Sequence, residues 1–122
     1  MKLAITIWGN RISPVFDAAT TLLIAEIQRG MILKKTYKSF RPEPCPDLIS
    51  LLRHLDVSLL ICGAISTGPA DLITANGIGL ASFVTGNALE ILDDFATRER
   101  IARDRVMPGC TCPFLESRKK PI

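Results

Sequence analysis

Two cysteines one residue apart, Cys110 and Cys112, stand in the stretch MPGCTCPF at 107–114. Thiolates select zinc, copper(I) and iron–sulfur clusters over hard cations. A C-x-C supplies two ligands where a tetrahedral site wants about four. The rest would come from a second subunit in a homodimer, from Cys45 or His54, or from the sulfides of a cluster. The alternative is a mobile tail with exposed thiols. Met107-Pro108-Gly109 disfavours helix, so the segment is expected to leave the sheet and fold over a crevice or reach a neighbour.

Other polar residues gather in two stretches, GNRISPVFD (9–17) and CGAISTGP (62–69). In open α/β sheets, ligands collect beyond the carboxyl ends of strands. That rule singles out Asn10, Arg11, Ser13 and Asp17 in the first stretch, and Cys62, Gly63, Ser66, Thr67 and Gly68 in the second. Backbone N–H groups at a helix N-terminus, with glycines that permit close approach, favour an anion. Turns and caps use the same residue types, so turn chemistry alone also accounts for these loops. Neither is a nucleotide loop: no Gly-Lys-Ser/Thr follows, and the three spaced glycines of a dinucleotide fingerprint are missing.

The remaining candidates read as structural. Cys62 ends an apolar strand and reads as a buried thiol. Cys45 lies between prolines, as a surface thiol would. His54 sits on the polar side of a leucine-faced helix, where it is solvated. Arg11 and Asp17 either pair with each other or leave Arg11 to meet an anion. One histidine and no Ser/His/Asp or Cys/His set argue against catalysis.

The elements that must position these groups follow from pattern. KLAITIW (2–8), TTLLIAEIQ (20–28) and MILKKTYKS (31–39) read as strands joined by short links, which favours antiparallel pairing. GNRISPVFDAA between the first two reads as a loop. After the proline-dense FRPEPCPD, a helix is expected from Pro46 or Asp47 to about Leu55, with Leu48, Leu51, Leu52 and Leu55 on one face. VSLLICG (57–63) is apolar throughout, as a central strand covered on both sides would be. A second helix runs from Pro69 towards Asn76-Gly77, and IGLASFVTG (78–86) is a fifth strand. Asn87 with Glu90 resembles a capping box opening a helix that turns Leu89, Leu92, Phe95 and Ala96 inward. The order βββαβαβα implies a mixed five-stranded α/β sheet with helices packed against it. One domain over 1–106 and a basic, cysteine-bearing tail over 107–122 are expected.

Totals agree. A chain of 122 residues with 48% hydrophobic and 22% charged residues can bury a core without disulfides. The net charge of +3 is modest and lies largely in Arg118, Lys119 and Lys120, which gives nucleic-acid binding little support. The opening segment is too short and mixed for a signal peptide, and no apolar run approaches the roughly 20 residues of a membrane span. A cytoplasmic protein with reduced thiols is the expectation.

The stretch MKLAITIWGNRISPVFDAATTLLIAEI, with its RISPVF, resembles the opening of the dinitrogenase iron–molybdenum cofactor biosynthesis family. DVSLLICGAISTGPADLITANGIGLASFVTGNALEIL is similar to that family's second half, through its ICGAI strand, its GI entry and its closing EIL, and MPGC resembles one subgroup. The resemblance covers most of residues 1–110. It implies a ribonuclease-H-like sheet and a non-catalytic carrier or accessory protein for an iron–sulfur or molybdenum-containing cluster. The implied partners are cluster-assembly or cluster-accepting proteins, not nucleic acid or membrane. The fold name does not imply nuclease activity, which needs clustered carboxylates, including one on the first strand; KLAITIW has none. Where many relatives carry a histidine in the SPxF loop, this chain has Val15. That departure motivates a second reading: a regulatory or protein-interaction module of the same fold that has lost the cluster.

Overall fold

The computed structural model describes residues 1–110. Strand β1 (Lys2–Trp8) turns at Gly9-Asn10 into a two-residue strand β2 (Arg11–Ile12). Strands β3 (Thr21–Gln28) and β4 (Met31–Ser39) follow, then helix α1 (Cys45–His54), strand β5 (Leu59–Ile61), helix α2 (Thr67–Ala75), strand β6 (Gly79–Ala81) and helix α3 (Ala88–Arg98). The sheet order is β4-β3-β1-β5-β6, with β2 paired to β1. The meander β1-β3-β4 is antiparallel, and β1-β5-β6 is parallel. The expected mixed α/β sheet is therefore present, with six strands among the described residues and not five. The sixth is Arg11–Ile12, inside the stretch expected to be loop; two residues carry no periodicity of their own to signal a strand.

Most of β1 is apolar because both of its faces are covered. Leu3, Ile5 and Ile7 face a core shared with α3, built around Phe95, Ile91 and Leu92. Ala4 faces a second core with Leu22, Leu60 and Cys62, covered by Leu48, Ile49 and Leu52 of α1 and Ile73 of α2. The crossovers β4-α1-β5 and β5-α2-β6 advance in the same direction along the sheet, so α1 and α2 share one face and α3 takes the other.

β5 and β6 are shorter than their apolar runs suggested. Past Ile61 and Ala81 the pairing continues irregularly: Cys62 N–H donates to Ala81 O at 2.9 Å and Val84 N–H to Cys62 O at 3.0 Å. Phe83 takes φ 60°, a left-handed backbone that ends the ladder. In α3 the side chain of Asn87 accepts from Glu90 N–H at 3.1 Å, the expected cap. Leu89, expected inward, is exposed, and Ala88 and Ile91 face the core instead. Starting the helix at Ala88 sets the phase of its apolar stripe.

Candidate functional site

Three loops leave the carboxyl ends of the parallel strands β1, β5 and β6, and their backbones are bonded to one another. Ser13 N–H donates back to Thr6 O at 3.0 Å. Val15 and Ala64 form a parallel bridge, with Ala64 N–H donating to Pro14 O and Phe16 N–H to Ala64 O, both at 2.8 Å. Gly63 makes this approach possible: a methyl group there would overlap the carbonyl oxygens of Ser13 and Pro14. The third loop joins through Phe83 N–H to Gly63 O at 2.8 Å, Ile12 N–H to Gly86 O at 3.0 Å and Ala88 N–H to Asn10 O at 2.9 Å.

A fourth segment arrives from the end of the described chain. Val106 bridges Val84, Thr85 N–H donates to Arg105 O at 2.6 Å, and Met107 N–H donates to Phe83 O at 2.8 Å. The Arg105 guanidinium reaches the Glu90 carboxylate at 3.0 Å. Glu90 therefore pairs with the strap and not, as a full capping box would have it, with its own helix start. Cys110 N–H donates to Met107 O at 3.0 Å, and its side chain packs half-buried against the core under α3. The expected release of this segment from the sheet does not extend to Cys110. Pro108 and Gly109 turn the chain after Met107 has already docked on the third loop. Cys112 and the basic tail lie outside the described residues.

The named candidates thus fall into two groups. Asn10 and Arg11 are exposed in the first loop; Ser66, Thr67 and Gly68 are exposed at the start of α2. Ser66 makes no side-chain cap and no acid lies in the first turn of α2, so its N-terminal N–H groups and positive dipole end stay open to an anion. Ser13, Cys62 and Gly63 are buried. The Ser13 hydroxyl donates to Val15 O at 2.9 Å, so it braces the loop. Cys62 is fully enclosed in the core under α1 and α2, and a thiol there meets no solvent ligand without a local opening.

Cys45 and His54 begin and end α1, so at 1.5 Å per residue they stand roughly 13 Å apart along its axis and cannot share one metal. His54 is exposed at the helix end that leads to the amino end of β5, away from the loops. Burial of the Cys45 thiol pushes its pKa up, which keeps it protonated. Among the described residues no three His, Cys, Asp or Glu side chains gather as a ligand set.

Sequence reasoning passed over two features of this site. Trp8, read only as part of a strand, is 75% exposed where β1 enters the first loop. An aromatic at a strand end before Gly-Asn was the available signal. The loop at 82–87 follows a third parallel strand, and the same carboxyl-end rule would have included it.

The fold and site define a small α/β domain whose loops at the carboxyl ends of three parallel strands are bonded into one platform. Residues 1–98 match the model of the family described as dinitrogenase iron-molybdenum cofactor, and the chain belongs to that family. No curated protein sequence matches it significantly. Among solved structures it is similar to the crystal structure of PH0822, at 15% identity and TM-score 0.72, over 79% of this chain and 88% of that one. It is also similar to a Methanocaldococcus jannaschii protein provisionally named a dinitrogenase (20% identity, TM-score 0.61, 81% and 89% covered). A Thermotoga protein provisionally named a NifB protein is a third (19% identity, TM-score 0.57, 78% and 86% covered). At these identities the likeness establishes the shared fold. No helix among the described residues is long and apolar enough to cross a membrane.

Proposed function

We propose that the chain is a non-catalytic carrier or accessory protein that holds a metal–sulfur cluster, iron–sulfur or molybdenum-containing, as cargo at the loops on the carboxyl end of the sheet. The observation that supports this reading most is that Asn10, Arg11 and the open start of α2 stand exposed on loops whose backbones are bonded into one platform, in a chain of the iron–molybdenum cofactor family. Metal–sulfur clusters carry negative charge. Arg11 and the N–H groups at Ser66, Thr67 and Gly68 complement that charge, and the thiolates of Cys110 and Cys112 can exchange onto cluster metals. The buried platform residues Ser13, Cys62 and Gly63 hold the loops in register without touching the cargo. A transferable cargo favours few protein ligands, since each bond must break on delivery. The proposed partners are cluster-assembly and cluster-accepting proteins in the cytoplasm.

Anaerobic reconstitution of the full chain with iron and sulfide, and separately with molybdate or copper plus sulfide, tests this. Visible absorption and stoichiometric metal after desalting are the expected result; a colourless, metal-free protein under every condition overturns it. A second reading, a regulatory or interaction module that has lost the cluster, is favoured by Val15 in the loop and by the lack of a three-ligand set among the described residues. It expects a melting temperature indifferent to metals and chelators but responsive to a protein partner.

A further inference from the structure

The free edge of β4 is unlike any other edge of the sheet. β4 is terminal in the strand order and nine residues long, and almost every residue along it is exposed. The opposite edge, β6, has three residues. The outer N–H and C=O groups of a long edge strand are a template for another extended chain. β4 carries Lys34, Lys35 and Lys38 and no acidic residue, with Met31 and Tyr37 65% and 59% exposed between and beside them.

The register places Lys34, Thr36 and Lys38 opposite Glu26, Ile24 and Leu22, on the sheet face shared with α1. Because α1 does not extend over β4, a trough of about 290 Å³ opens there, floored by Ile24, Thr36 and Leu55 and edged by Lys2, Lys34 and Lys38. Glu26 lies between Lys2 and Lys34 across the strands and offsets one of the three positive charges.

Self-association is disfavoured at this edge. The fully overlapping antiparallel pairing of two β4 strands is centred on Lys35 and sets that lysine against its own copy, where like charges directly opposite destabilise. An extended segment with alternating acidic residues meets no such penalty. Its backbone completes the ladder, and acidic side chains on its matching face can pair with Lys34 and Lys38, which flank Thr36 on that face.

We propose that the β4 edge is a docking strand for an extended acidic segment of a partner protein, which adds as a further antiparallel or parallel strand beside Met31–Ser39. The surface lies across the sheet from β6, so docking leaves the loops at the carboxyl end of the parallel strands open, and it does not depend on what those loops hold.

The test is fluorescence anisotropy of the full chain with a labelled nonapeptide of alternating threonine and glutamate. Saturable binding is expected, weakened tenfold or more in Lys34→Glu/Lys38→Glu and weakened by added salt. The same peptide N-methylated at alternate backbone amides should lose binding to the native chain, because its ladder hydrogen bonds are gone. Should the charge-reversed variant fail to fold, the N-methylated peptide alone decides. Equal binding of the methylated peptide, of a threonine–lysine peptide or of a nine-base single-stranded oligonucleotide overturns the proposal. So does no binding of the glutamate peptide, or a dimer in sedimentation that Lys35→Glu abolishes.

Discussion

Gly63 and Pro14 belong to different loops, yet Pro14 lies so close over the Gly63 α-carbon that a single methyl group there would strike the Pro14 carbonyl. The neighbouring Ala64 N–H donates to that same Pro14 oxygen at 2.8 Å, so the oxygen cannot withdraw without losing a bond. Overpacking of this kind costs typically about 1–3 kcal/mol. Gly63→Ala is therefore expected to lower the melting temperature by roughly 4 °C per kcal/mol lost. It should also reduce cluster loading, because the two loops of the platform part. A variant with unchanged melting would show that the loops are looser than the packing implies.

The thiols of the last segment separate ligand chemistry from folding. Cys110→Ser/Cys112→Ser should remove most bound metal after reconstitution. Since Cys110 packs half-buried on the α3-side core, the double variant should also lose about 1 kcal/mol, the ordinary scale of a mild core change. Metal content equal to that of the native chain would move the cargo to the RISPVF and CGAISTG loops alone.

Two contacts at the start of α3 differ in worth. The Asn87 cap satisfies a helix N–H, and Asn87→Ala should cost about 0.5–2 kcal/mol in denaturant unfolding. Glu90 is 62% exposed in its pair with Arg105, so Glu90→Gln should cost under about 1 kcal/mol, and less still at high salt. A larger loss at Glu90 than at Asn87 would mean that the strap at 101–107 carries more of the fold than one surface pair can.

Thr6 is fully buried in β1, and its hydroxyl finds no hydrogen-bond partner among the described residues. A buried polar group without a partner costs stability, and Thr6→Val keeps the shape while removing it. The variant should be as stable as the native chain or up to about 1 kcal/mol more stable, a range set by the penalty such groups carry. Clear destabilisation would indicate an ordered water or ligand on that hydroxyl.

Burial raises the pKa of Cys45, so its thiolate is scarcer at a given pH than in the unfolded chain. Its alkylation by iodoacetamide should be slower in the native protein, with a pH midpoint above that of the denatured protein. The linked stability is present below the ordinary thiol pKa and is lost as pH rises through the raised one. Equal rates in native and denatured protein would contradict the burial.

Much of the fold was legible because local pattern and global packing agree. The β4 boundaries read from MILKKTYKS match those observed, and the Asn87 cap marked the start of α3, since both signals lie within a few residues of chain. The candidate loops were legible through the carboxyl-end rule, which needs only the order of strands and helices.

What the sequence by itself determined is the set of elements apart from the two-residue β2, their parallel or antiparallel sense and the chemistry at the strand ends, all consequences of periodicity, caps and link lengths. Only the tertiary structure decided that Ser13 and Cys62 turn inward while Arg11 and the start of α2 stay outside, that Leu89 misses the core, and that the segment before Cys110 docks on Phe83 and Thr85. Those outcomes depend on contacts between residues far apart in the chain, such as Ile12 with Gly86, Asn10 with Ala88 and Thr85 with Arg105. Such contacts form only when the sheet brings strand ends together, and no local pattern in the chain records them.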